Sequence, residues 1–379
     1  MATSAAAAPA EPTRIAVAFK TPAAAEEFGQ AFALAEGYAD VQLSPAPAGA
    51  PDATAGAGFD AGAFFAALRS SRMGAALLAA RAVGSTQEFM RAHVGVLPEG
   101  AVLVAAAQTR GKGRGGNVWT SPPGCLMFTA LRRLVVPSAQ APLINYVVCL
   151  AAVRGIADAT AHLVPGGLAV RVKWPNDLYH GGLKVGGALI HTTWSAGRFA
   201  VLTGVGINVS NSEPTTCLDD ILAAQLAAAA APGQQAQQAQ QAQQAAQQAP
   251  QQQQQAAAQQ AAPGGGGGLV SKERLLAAVL GRLEECFDAF ESAGFEPLRD
   301  AYLASWLHSG QVVELEEPDG DGAAAGLPGA RRRVALTIAG LSPSGFLLAL
   351  DAAGGRYELT PDGNSLDMMA GLIRKKLPG

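Results

Sequence analysis

Alternating and helically spaced apolar positions divide the chain into a mixed α/β body and a β-rich tail. RIAVAF, from Arg14, predicts a strand, and AAAEEFGQAFALAEG predicts a helix ending at Gly37. Phe59 to Arg81 carries helical apolar spacing, and Ala101 to Ala107 reads as a strand that runs into a glycine-rich loop. Ser271 is a good helix N-cap. After it, Leu275, Leu276, Val279, Leu280, Leu283, Phe287 and Phe290 make one stripe at helical spacing, which predicts core packing. Then GQVVELEEP, RRVALTIAGL, GFLLALDAAGG and RYELTPDG alternate as short strands between Gly, Pro and Asp turns. That pattern predicts a small barrel beginning near His308.

Two stretches lack such patterning. SPAPAGAPDATAGAG reads as a flexible linker. Leu222 to Gly268 is Ala, then Gln/Ala repeats, then Pro263 and five glycines. With almost no large apolar side chains it has little burial to offset its ordering entropy, and it reads as a disordered surface insert. The expected division is a variable N-terminal region over 1–58, an α/β domain over 59–307 carrying the 222–268 insert, and a small β-barrel over 308–379.

Composition removes several classes. A net charge of −3 over 379 residues gives no field that attracts nucleic acid. No apolar run is read as reaching the roughly 18 residues of a membrane span. Cys125, Cys149, Cys217 and Cys286 are far apart with no CxxC pair, so neither a zinc site nor a disulfide framework is expected. A reducing compartment, the cytoplasm, fits. The Ala-rich N-terminus carries Glu11 and only Arg14 as an early base, and it leaves an organelle such as a chloroplast or mitochondrion open.

Four short elements carry candidate chemistry. In QTRGKGRGGNVWTSPPG, Gly111, Gly113 and Gly116 satisfy GxGxxG. But Pro122 and Pro123 follow closely, and no acid lies between Glu99 and Asp158, so the dinucleotide-fold reading fails. What remains is a flexible backbone beside Arg110, Lys112 and Arg114, suited to a phosphate and equally to a solvated basic turn. In VKWPNDLYHGGLKVGGALIHTT, Pro175 keeps Lys173, Asn176 and Asp177 on a turn. The returning strand opens on Lys184, which by itself reads as an exposed strand end. LTGVGINVSN reads as a strand ending in a Gly-x-Gly-x-Asn corner, with Asn208 offered to an adenine or to the turn itself. Gly84-Ser85-Thr86-Gln87 reads as a helix cap.

In this order GSTQ, QTRGKGRGGNVWTSPPG, KWPNDLYHGGLKVGG and GVGINVSN resemble the biotin–protein ligase (holocarboxylase synthetase) family, plant-type members most of all. The resemblance is strong over Phe59 to Cys217 and weaker over Ser271 to Asp367. It implies a mixed-sheet α/β catalytic domain of the class II aminoacyl-tRNA synthetase type and a small C-terminal Src-homology-like β-barrel. It implies formation of biotinyl-5'-AMP from biotin and ATP, then transfer to a lysine in the biotin carboxyl-carrier domain of a biotin-dependent carboxylase. Mg²⁺ would ride on the nucleotide phosphates, with no metal ligands from the protein. Lys184 and Arg114 would be catalytic. Biotin would meet Ser85, Thr86, Gln87, Gln108, Lys112, Gly113, Arg114, Trp119, Lys184 and Gly187. The nucleotide would meet Arg114, Gly115, Gly116, Asn117, Lys173, Asn176, Asp177 and Asn208. The chain departs from the family at Lys112, where Arg is common, and at Gly115 and Asn117, which replace bases of some members. A lipoyl or octanoyl ligase shares the implied fold, but KWPND argues against it. A non-catalytic biotin-binding scaffold is the other alternative. A DNA-binding repressor fused to a ligase is rejected, because Arg14 and Lys20 are the only bases before Phe59.

Overall fold

The computed structural model describes residues 13–33, 41–45, 54–230, 268–318, 331–360, 364–367 and 372–375. Its first strands are β1 (Thr13–Phe19), β2 (Val41–Pro45), β3 (Ala76–Ala80), β4 (Val102–Ala105) and β5 (Cys125–Leu134). Then come β6 (Arg171–Lys173), β7 (Asp177–His180), β8 (Leu183–Ser195) and β9 (Arg198–Asn208). They form one nine-stranded mixed sheet in the order β2-β1-β3-β4-β5-β9-β8-β7-β6. Its spine is the antiparallel pair β5 and β9, in register from Cys125↔Asn208 to Leu134↔Phe199.

Both faces of this sheet are covered, which is why its central strands are apolar almost throughout. On one face lie α2 (Ala61–Ala67), α4 (Ile144–Thr160) and α6 (Lys272–Ala293), packed on Leu126, Phe128, Val205 and Ile207. On the other lie α1 (Pro22–Ala33) and α3 (Thr86–Ala92), packed on Leu103, Leu131 and Leu202. The seven-residue stripe of α6 is wholly buried, as expected. Ser271 Oγ accepts the Arg274 N–H at 3.3 Å, and Gly294, at φ +71°, ends the helix. Helices α4 and α6 cross tightly at Gly155, where a Cβ would stand 2.6 Å from Val279 Cα. On the same helix Glu284 reaches the turn before β3. Its carboxylate accepts the N–H groups of Ser71, Arg72 and Met73, each at 2.8 Å.

Helix α5 (Leu218–Ala230) follows the main sheet, and α7 (Glu296–Ser305) leads into a second sheet. The latter comprises β10 (Val312–Pro318), β11 (Arg331–Leu341), β12 (Leu347–Leu350), β13 (Arg356–Leu359), β14 (Asn364–Asp367) and β15 (Leu372–Lys375). Its order is β13-β12-β11-β10-β15-β14, antiparallel except for β10 with β15. Among the described residues β13 and β14 are its two ends.

Four sequence expectations are corrected. Phe59 to Arg81 is not one helix: Asp60 caps the short α2, and ALLAA is β3, because an apolar run of small residues has no period to separate helix from strand. The region before Phe59 is not all apart from the catalytic sheet, since β1 pairs antiparallel with β3 from Ile15↔Ala80 to Phe19↔Ala76. The insert does not begin at Leu222, a buried residue inside α5; the remaining Gln/Ala tract, 231–267, lies outside the described residues. Finally, Ser138–Thr160 is long and apolar enough to cross a membrane, but 72% of its apolar 18-residue window is buried inside the protein. It is a core helix.

Candidate active site

The β5–β9 spine floors a cleft of about 450 Å³, walled by the start of α3, the glycine-rich loop, the β6–β7 turn and the first half of β8. One end is a neutral hydrogen-bonding network. Ser85 caps α3, so the next two side chains, Thr86 and Gln87, stand at the helix mouth. Gln108 Oε1 accepts from the Thr86 backbone N–H at 2.8 Å and lies 3.2 Å from its hydroxyl. The hydroxyl of Thr129, on β5 and fully buried, lies 2.9 Å from Thr86 Oγ1 and 3.1 Å from Gln87 Oε1. Gln87 Nε2 donates to Leu202 O at 3.0 Å. These bonds fix the side-chain dipoles before any ligand arrives.

The GVG of β9 is not a corner. Gly204 and Gly206 lie inside the strand, on one face by its two-residue period. A Cβ at Gly204 would come 2.5 Å from Gln87 Oε1, and one at Gly206 would meet the Trp119 ring at 2.4 Å. The glycines therefore make room for the two side chains that shape the cleft. Trp119 is carried there by a hairpin formed by the glycine-rich loop. Gly113 N donates to Asn117 O at 2.7 Å and Trp119 N to Gly111 O at 3.0 Å. Gly115 and Gly116 turn its tip at φ +66° and +82°, a region in which side chains are strained.

The opposite end is charged. Lys184 Nζ lies 2.7 Å from Asp177 Oδ1 and 5.7 Å from the centroid of Trp119. Lys173 pairs in register with Asp177 across the β6–β7 turn, and its Nζ is 3.5 Å from Tyr179 Oη. Asn176 Nδ2 donates to Ala188 O at 2.6 Å, which ties the turn to β8. Lys112 turns outward to Glu88, Nζ to Oε1 2.5 Å, and this bond holds the Glu88 carboxyl below its usual range although burial opposes it. No thiol is poised for attack: all four cysteines are buried, and burial pushes Cys125 up to about 12. Among the described residues no three His, Cys, Asp or Glu side chains are placed to hold a metal ion.

Of the residues that the resemblance assigns to biotin, nucleotide or catalysis, all but Gly116 and Asn208 line this cleft; Arg110, the third cation of the glycine-rich loop, does not. Gly116 sits at the loop tip. Asn208 is spent elsewhere, its amide donating to Thr216 O at 3.0 Å and Thr215 Oγ1 at 3.3 Å while it accepts from Cys125 Sγ. Asn208 therefore stands outside the cleft lining, at the β9 end, with its amide held by the return loop. Thr129, Gly204 and Glu88 were missed. For Gly204 the period-two glycines of TGVG were a signal; Thr129 and Glu88 had none.

This geometry, with fixed neutral dipoles at one end and cations at the other, suits a ligand that is neutral and polar at one end and anionic at the other. A family model described as the biotin/lipoate A/B protein ligase family matches residues 80–208. Biotin–protein ligase 2 of Arabidopsis thaliana is 34% identical over 319 residues, covering 84% of this chain and 83% of that one. The chloroplastic biotin–protein ligase 1 of the same plant is also 34% identical over 319 residues, covering 84% of this chain and 74% of its own. A solved biotin protein ligase from Aquifex aeolicus, in complex with biotin and ATP, covers 74% of this chain and 93% of its own, at 22% identity and a TM-score of 0.47. The chain belongs to the biotin–protein ligase family.

Proposed function

We propose that the cleft binds biotin with its ureido ring against Thr86, Gln87 and Gln108, oriented by Thr129, and ATP with its phosphates along Arg114, Lys173 and Lys184. The carrying observation is that this neutral network and the Lys184–Asp177 pair share one cleft. A biotin carboxylate oxygen attacks the α-phosphorus, the bond to the bridging oxygen breaks, and pyrophosphate leaves. Two anions must approach for this, so preorganised cations supply most of the help the protein gives. Trp119 covers the mixed anhydride and excludes water. The amine of an acceptor lysine, on a biotin carboxyl-carrier domain, then attacks the acyl carbon. An amide forms, the acyl–phosphate bond breaks, AMP leaves, and the amine proton passes to solvent. Among the described residues Asp177 is the one carboxylate lining the cleft, and it is already paired. An ion riding on the triphosphate fits that donor set.

Biotin-dependent exchange of labelled pyrophosphate into ATP tests this reading. Exchange is expected only with biotin present, and an added carrier domain is expected to become biotinylated as AMP appears. Exchange that ignores biotin would overturn it. Gly204→Ala probes the biotin end. Its Cβ displaces Gln87, so the KM for biotin is expected to rise by about tenfold, the equivalent of one lost hydrogen bond, with the KM for ATP unchanged. An unchanged KM for biotin would mean that Gln87 does not shape the site.

A further inference from the structure

The turn that carries Lys173 and Asp177 is held from outside its own sheet. His308, between α7 and β10, is 1% exposed. Its Nε2 lies 2.9 Å from the backbone N of Trp174, and its Nδ1 lies 2.7 Å from Gln311 Oε1. A backbone N–H only donates, so Nε2 is bare and Nδ1 carries the proton toward Gln311. The neighbouring bonds point the same way. Leu307 N donates to Val172 O at 3.0 Å, and the Trp174 indole N–H donates to Tyr146 Oη at 2.9 Å. Tyr146 in turn donates to Gly345 O, between β11 and β12.

We propose that His308 is a positioning residue for the nucleotide end: by accepting the Trp174 N–H it sets Lys173 and Asp177 against Lys184, and so makes the C-terminal segment part of the site. This rests on the β6–β7 turn being the nucleotide side. A second proton on His308 would replace the acceptor with a donor and release the turn. Burial, together with the charge of Lys173, pushes His308 below the usual histidine range, while the Gln311 bond opposes the shift. The edge of Trp306, 5.5 Å away, brings no charge.

The test measures KM for ATP and for biotin, and the pH profile of exchange, in the full chain. His308→Ala is expected to raise the KM for ATP by about tenfold, with that for biotin unchanged. Gln311→Glu leaves the packing alone but favours the imidazolium. Its acid limb is expected to move up by about one pH unit, with parental activity regained at alkaline pH. An unmoved limb, or equal rises in both KM values for His308→Ala, overturns the role of His308. Lys173→Ala probes the underlying reading: a parental KM for ATP in that variant overturns the nucleotide assignment of the turn instead.

Discussion

Lys184→Ala is expected to lower the rate of biotinyl-AMP formation by about a hundred- to a thousandfold, the usual loss when one preorganised charge stabiliser is removed. The geometry adds a second penalty. Asp177 Oδ1 is 2.7 Å from Lys184 Nζ, so the variant leaves a carboxylate facing the incoming phosphates without its partner. The double variant Lys184→Ala/Asp177→Asn is therefore expected to recover part of the loss, a non-additivity typical of a contacting pair. Single-turnover formation of biotinyl-AMP, with circular dichroism confirming the fold, measures both. A folded Lys184→Ala enzyme with parental rates would remove Lys184 from the chemistry.

Glu284→Ala is expected to cost about 2–3 kcal/mol of stability, because three backbone donors, that of Met73 buried, lose one shared charged acceptor. Burial pushes this carboxyl up, but the N–H groups of Met73, Ser71 and Arg72 outweigh it and hold it below the ordinary value of 4.5. The unfolded chain therefore takes up this proton first on acidification. The contribution of Glu284 is complete above pH 4.5 and is lost as pH falls from there through the lowered native value. Urea unfolding of parent and variant should show their stabilities converging in that acid range. A variant within about 1 kcal/mol of the parent at neutral pH would mean that the turn before β3 holds without it.

What could be read in the sequence was whatever repeats or sits in a string. The stripe of α6 and the alternation of the C-terminal strands follow from one-sided burial, and the cleft residues from GSTQ, the glycine-rich loop and KWPNDLYHGGLK. Helix α4 left no periodic trace because it is buried on nearly every side. ALLAA carried no period to show that it is a strand. Thr129, Glu284 and His308 are single residues whose partners lie 42, 213 and 134 positions away, a separation that no local pattern records. Asn208 shows the opposite case: its motif is local, but its amide bonds the loop that follows, which the motif does not record.

The pairing of β1 with β3 matters beyond architecture. Every residue of β3, Ala76 to Ala80, is at most 2% exposed, and β1 occupies the side that β4 does not. A chain starting at Phe59 keeps all of the cleft yet presents β3 as a bare apolar edge, ready to template a strand from another molecule. Such a shortened enzyme would fail by self-association and precipitation with its chemistry intact, and it would fail sooner as concentration rises.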